Sequence, residues 1–159
     1  MNKFTFKEWC QLAMPHSQLD QSGLPLEETR QLARKMYLGL DRFIEAQDKW
    51  NTYQTALEEV KAGETHWIWF IFPQMRGLGT SEKSRYYGIS GRDEAIEYIN
   101  HPILRDRLVE ITEAVYNNEK SVYEIFGNDV IKVRSCMLLF ASVSDIPIFQ
   151  KMLEKHCWR

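Results

Sequence analysis

Several classes are excluded by what this 159-residue chain has little of. It carries three cysteines, Cys10, Cys136 and Cys157. They are odd in number and far apart, with no CxxC pair, so neither a disulfide framework nor a thiolate zinc site is expected. No HExxH helix occurs, and no metal or cofactor is expected. Eight glycines and five prolines are too few for a collagenous or low-complexity chain. The longest apolar run, Trp67 to Phe72, is far too short to span a bilayer, and the N-terminus lacks a basic-then-apolar signal. No membrane association is expected, and free thiols suit a reducing, cytoplasmic setting. Charge of one sign is also missing. The net charge is −2, and no long segment is strongly basic, which argues against a nucleic-acid reader.

What is present is a well-filled core. Hydrophobic residues make up 44% and aromatics 13%. A chain of this length buries about 68–70% of its surface without staples. Helical signals dominate. Thr5 to Glu8 reads as a capping box for a helix from Phe6 to about Met14. Residues 15–25 read as a loop, and Leu26 to Leu38 as a second helix. Leu40 to Lys61 carries the clearest pattern. Leu40, Phe43, Ile44, Gln47, Trp50, Tyr53, Leu57 and Val60 make one face of a single helix, stopped by Gly63. The run from His66 to Phe72 looks like a buried strand by propensity, although periodicity does not separate a strand from a buried turn. Pro73 to Gly91 reads as a long ordered loop rich in Gly, Ser and Thr.

Further helices follow. Ser90 to Asp93 offers a cap for one ending at Asn100, with Ala95, Ile96 and Ile99 inward. His101 caps, and Pro102 opens, a helix striped by Leu104, Leu108, Ile111 and Val115. Ser121 to Glu124 is a capping box for a turn ended by Gly127. Asp129 begins a helix bearing Val130, Val133, Met137 and Phe140, and Pro147 a last one. The expected architecture is an all-α, compact single-domain bundle. Residues 1–37 form an N-terminal helical arm, available for a homodimer, ahead of a helical domain over 38–159.

The chemistry concentrates in residues 66–91. Arg76, Lys83 and Arg85 against Glu82 make a local positive spot in a slightly acidic chain. Glycines let amides approach an anion, hydroxyls add donors, and Trp and Tyr rings offer faces for stacking. The bland alternative is a structural turn whose aromatics belong to the core. Gly77 to Ser84 lines up with a phosphate-binding loop except that Glu82 replaces the second glycine. Bulk and negative charge there, and no long helix after it, exclude a nucleoside-triphosphatase. His66 has the side chain of a general base, with Glu45 as the other candidate. Gln47 falls on the apolar stripe, where its amide meets a ligand or satisfies a buried backbone group. Lys132 and Ser135 share a helical face.

These residues occur in ordered blocks. They are Leu40-Asp-Arg-Phe-Ile-Glu-Ala-Gln47, His66-Trp-Ile-Trp-Phe-Ile-Phe-Pro-Gln74, Gly77-Leu-Gly79 with Ser81 and Ser84, and Tyr87-Gly-Ile89. Glu94-Ala95 with Tyr98 and His101-Pro102, Ile125-Phe-Gly127, and Lys132 with Ser135 to Phe140 complete the set. Together they closely resemble the bacterial domain-of-unknown-function family 1810, over about residues 38–153. Members are sometimes labelled calpastatin, a name nothing in this sequence supports. The resemblance implies a mainly α-helical domain and no settled activity; it favours helix over strand for Trp67–Phe72. The family's Ser-Ser-Met-Thr-Leu-Phe string is here Ser135-Cys136-Met137-Leu138-Leu139-Phe140, so two hydroxyls have become apolar.

The expected function is the binding of a small anionic, ring-bearing ligand, nucleotide or ADP-ribose-like. Its candidate site comprises Gln47, Trp67, Gln74, Arg76, Gly77, Gly79, Ser81, Ser84, Tyr87, Lys132 and Ser135. If the chain is an enzyme, a hydrolase without metal is the simplest form, with His66 or Glu45 as base and Arg76 and Lys132 among the anion stabilisers. The alternative is an interaction or dimerisation module without catalysis.

Overall fold

A computed structural model describes residues 39–159. The expected N-terminal arm and its two helices lie outside the described residues. Helix α1, Asp41–Asp48, begins the described chain and turns its Arg42, Phe43 and Gln47 inward. Helix α2, Thr52–Ala62, continues with Tyr53, Ala56, Leu57 and Val60 buried. The sequence pattern predicts one helix here, and the structure corrects it to two. Between them Trp50 and Asn51 adopt left-handed backbone angles, φ 52° and 57°. This shift in helical phase turns Trp50 off the stripe, and it stands 85% exposed rather than buried. Gly63, φ 100°, ends α2 and donates to Glu59 and Val60 carbonyls, as a C-terminal glycine does.

The run His66–Phe72 is neither strand nor helix. Thr65 ties to the Ile125 carbonyl at 2.9 Å, and the chain then closes a single turn, Phe72 N–H donating to Ile68 at 2.8 Å. Ile68, Phe70, Ile71 and Phe72 are all buried, which a turn packed on several sides allows and strand alternation does not. Among the described residues there is no strand, only a parallel bridge between Met75 and Ile89. Within the expected loop sits a short helix α3, Glu82–Tyr86.

Helices α4, Arg92–Asn100, and α5, Pro102–Tyr116, meet at His101, whose Nδ1 accepts from the amides of Ile103 and Leu104. No side chain caps α4; Gly91 precedes it, and the inward residues are Glu94, Ala95, Tyr98 and Ile99, with Ile96 only half-buried. Helix α6, Val122–Phe126, carries the full Ser121/Glu124 capping box. Helices α7, Val130–Val143, and α8, Pro147–His156, pack on each other, and α7 also packs on α4. The core runs through Phe43, Leu57, Phe72, Tyr98, Ile111, Met137, Phe140 and Phe149. The molecule is all-α and compact. No described helix is long and apolar enough to cross a membrane.

Candidate functional site

The loop from Pro73 to Gly91 is the region that position and chemistry single out. Its ends are drawn together by the Met75–Ile89 bridge, Ile89 N–H donating to Gln74 at 2.9 Å and Arg76 N–H to Ile89 at 2.8 Å. Gly77 turns the chain at φ 97°. A Cβ on Gly79 would lie 2.5 Å from Ser84 Oγ, so only glycine lets the two segments touch. Ser81 then caps α3, accepting from the Ser84 amide at 3.1 Å.

Two arginines hold this loop from beneath. Arg42 donates to the carbonyls of Tyr86 at 2.8 Å and Gly88 at 2.9 Å. Arg76 donates to those of Arg85 at 3.1 Å and Gly88 at 3.1 Å. Carbonyls at a helix end lack intrahelical partners and carry partial negative charge, so cations there satisfy both needs. Burial, and then the nearby Arg42 charge, lower the Arg76 guanidinium to about 10. Arg42 is balanced by Glu94, which also accepts from the Ser90 amide at 3.0 Å.

Above this support, the loop and α7 form a narrow cleft lined by Ile68, Trp69, Phe72, Gln74, Lys83, Ser84, Tyr87, Gly88 and Lys132. Its free volume is about 10 Å³, room for one water. Lys83 Nζ rests 4.4 Å from the centre of the Trp69 ring and so covers that face. Lys132 reaches Asp129 at 2.8 Å. Tyr87 packs on Phe70 and Tyr86, and burial raises its phenol above the ordinary value. Two ammonium groups, an amide and a hydroxyl meeting beside ring faces can hold an anion and a flat ring.

Of the residues expected at a site, Gln74, Ser84, Tyr87 and Lys132 line this cleft. The others lie outside it. His66 is 87% exposed and faces the Glu64 carboxylate at 3.6 Å. Glu45 is exposed on α1. Neither candidate base borders the cleft. Gln47 gives its amide hydrogens to the Phe70 carbonyl and Tyr98 hydroxyl and accepts from Arg107, so the fold engages it fully. Trp67 packs on Phe70 at 5.9 Å. Arg76 points to carbonyls, Gly77 and Gly79 shape the turn, and Ser81 caps. Ser135 returns its hydroxyl to Ile131 of its own helix at 3.0 Å. Cys136, in one of the departed hydroxyl positions, is buried in the core, which raises its thiol well above the usual value. The candidate set lacked Lys83, Trp69, Arg42 and Glu94. A charged residue beside Phe43 or Ala95, on an inward helical face, was the available sign for the last two.

Among the described residues no group of three or more His, Cys, Asp or Glu converges as a metal site would. Fold and cleft thus define a class: a small all-α protein whose arginine-braced loop closes a lysine-lined cleft against a helix. The chain belongs to the family described as protein of unknown function (DUF1810), whose profile matches residues 37–158. It is similar to the conserved hypothetical protein Rv1873 from Mycobacterium tuberculosis, known from a crystal structure at 1.38 Å. The two are 42% identical with a TM-score of 0.70, over 74% of this chain and 86% of that one. No curated protein matches.

Proposed function

We propose that this chain binds a small anionic, ring-bearing ligand, of the nucleotide or ADP-ribose kind, in the cleft between loop 73–91 and α7. One observation carries the reading: Gln74, Lys83 and Ser84 from the loop converge with Lys132 from α7 on the same cleft. The anion meets Lys83 and competes with the Asp129 carboxylate for Lys132, and the ring lies on Trp69. The free volume requires Lys83 to leave the Trp69 face first. Lys83 is exposed, and an exposed cation–π contact is worth about 0.5–1 kcal/mol. Stacking a base on an aromatic ring returns about 1–3 kcal/mol, so the exchange is favourable. The reading is of binding rather than hydrolysis, because neither His66 nor Glu45 borders the cleft. The unpaired thiols of Cys136 and Cys157 suit a cytoplasmic setting.

A thermal-shift panel of nucleotides, NAD, ADP-ribose and sugar phosphates tests the reading. A ligand at 100 times its Kd stabilises by about 2.7 kcal/mol, a rise in Tm of roughly 5–10 °C at this size. A second reading, a docking module without catalysis, is favoured by Trp50, which the strained α1–α2 kink leaves exposed.

A further inference from the structure

We propose that the concave surface between α5 and the α7–α8 turn docks a basic amphipathic helix of a partner protein. Two adjoining hollows of about 440 and 420 Å³ lie there, sharing Arg105 and Ile146. Among the described residues neither shares a lining residue with the lysine cleft, so this surface stands apart from that cleft. The floor is apolar. Ile99 belongs to the core, and Val109 and Ile146 pack against it while still facing the hollows.

The rim is acidic and unbalanced. Asp106, Glu110 and Glu113 recur on α5 at intervals of four and three, which places them on one helical face. Asp145 lines the other hollow. Among the described residues Arg105 is the one base lining either hollow, and it pairs with Asp106 at 3.3 Å. Glu110 accepts from the neutral Tyr53 hydroxyl. Glu113 and Asp145 have no ion-pair partner among the described residues. Among the described residues, then, Glu110, Glu113 and Asp145 stand without an ion-pair partner around an apolar floor.

Charge complementarity selects the occupant. A single metal ion needs converging ligands, and these acids do not converge. A spread cationic partner fits them instead. Asp106 to Glu113 spans about 10 Å along α5, or two turns. A partner helix with Lys or Arg at matching intervals meets these carboxylates while its apolar stripe covers Val109 and Ile146. The rim carboxylates are exposed, so the contact is salt-sensitive.

The test is fluorescence anisotropy on the full chain with a labelled synthetic helix bearing a leucine stripe flanked by lysines. A matched probe carries glutamate in place of lysine, and spermidine serves as a small competing polycation. The lysine probe is expected to bind in the micromolar range, and the glutamate probe to fail. Neutralising the rim together (Glu110→Gln, Glu113→Gln, Asp145→Asn) is expected to weaken binding by about tenfold or more, since each opposed charge pair lost adds to the discrimination. Ile146→Ser is expected to weaken it as well. Circular dichroism checks that each variant keeps its helix content. The proposal is overturned if the lysine probe does not bind, or binds the neutralised rim equally well. It is overturned too if Ile146→Ser leaves affinity unchanged, or if spermidine displaces the probe at equal concentration, which makes the ligand a small polycation.

Discussion

Arg42 and Glu94 meet in a two-pronged ion pair inside the protein. Nη2 lies 2.6 Å from Oε1 and Nη1 3.1 Å from Oε2, with the side chains 0% and 5% exposed. The pair joins α1 to α4, and through Tyr86 and Gly88 it holds the loop that walls the lysine cleft. Its geometry is what makes a loop of many polar residues a fixed wall.

Removing one partner leaves the other charged and buried, which costs about 3–5 kcal/mol. Glu94→Ala or Arg42→Ala is therefore expected to lower stability by that amount in urea unfolding. Replacing both by apolar residues of similar size is expected to cost less than either single change. Singles that unfold no more easily than the natural chain contradict the role of this pair.

Trp50 separates pattern from backbone. A buried tryptophan reduced to a small residue costs about 3–5 kcal/mol. Trp50 is exposed and holds a left-handed conformation that suits glycine. Trp50→Gly is expected to change stability by no more than about 1 kcal/mol. A loss of several kcal/mol in the same unfolding measurement would return Trp50 to the core.

Helix ends and stripes were legible in the sequence because their causes are local. His101 before Pro102 and Ser121 before Glu124 cap in the positions their spacing gives. The break at Trp50 was not legible, since periodicity records which side chains are apolar and not where the backbone changes hand. Phe70 to Phe72 misled in another way, because β-propensity measures fit to a half-buried surface and a packed turn offers the same environment. The site was half legible. Gln74, Ser84, Tyr87 and Lys132, expected by chemical type, line the cleft, whereas Gln47 and Arg76 have the same types and serve the backbone. Which carbonyls need a donor is a property of the assembled loop.

Gly79 and Ser84 form a coupled pair. Gly79→Ala drives a methyl into Ser84 Oγ and Cβ at 2.5 and 2.6 Å and is expected to cost about 1–3 kcal/mol as overpacking does. Ser84→Gly in the same chain removes those atoms and is expected to restore most of the loss. A double variant as unstable as the sum of the two singles contradicts the contact.

His156 gives the chain a dependence on pH. Burial, and then the adjacent Lys155, hold its imidazole below the ordinary value near 6.5. The folded state thus favours neutral His156, with Trp158 stacked on it at 4.7 Å. This contribution is present above the unfolded value and is lost as pH falls through the lower folded one. Stability is expected to be lower at a pH below about 6.5 than at a pH above it, and His156→Gln to narrow the difference. An unchanged difference in denaturation at the two pH values contradicts the assignment.

The most direct measurement is calorimetric titration of the purified chain with the best ligand of the nucleotide, NAD, ADP-ribose and sugar-phosphate panel. It is run beside Lys132→Ala and Trp69→Leu, with Arg92→Ala as a distant surface control. Saturable one-site binding is expected, weakened tenfold or more by Lys132→Ala, by about 1–3 kcal/mol when Trp69 no longer stacks, and unaffected by Arg92→Ala. Absence of binding across the panel by a folded sample, or binding that Lys132 and Trp69 do not influence, contradicts it.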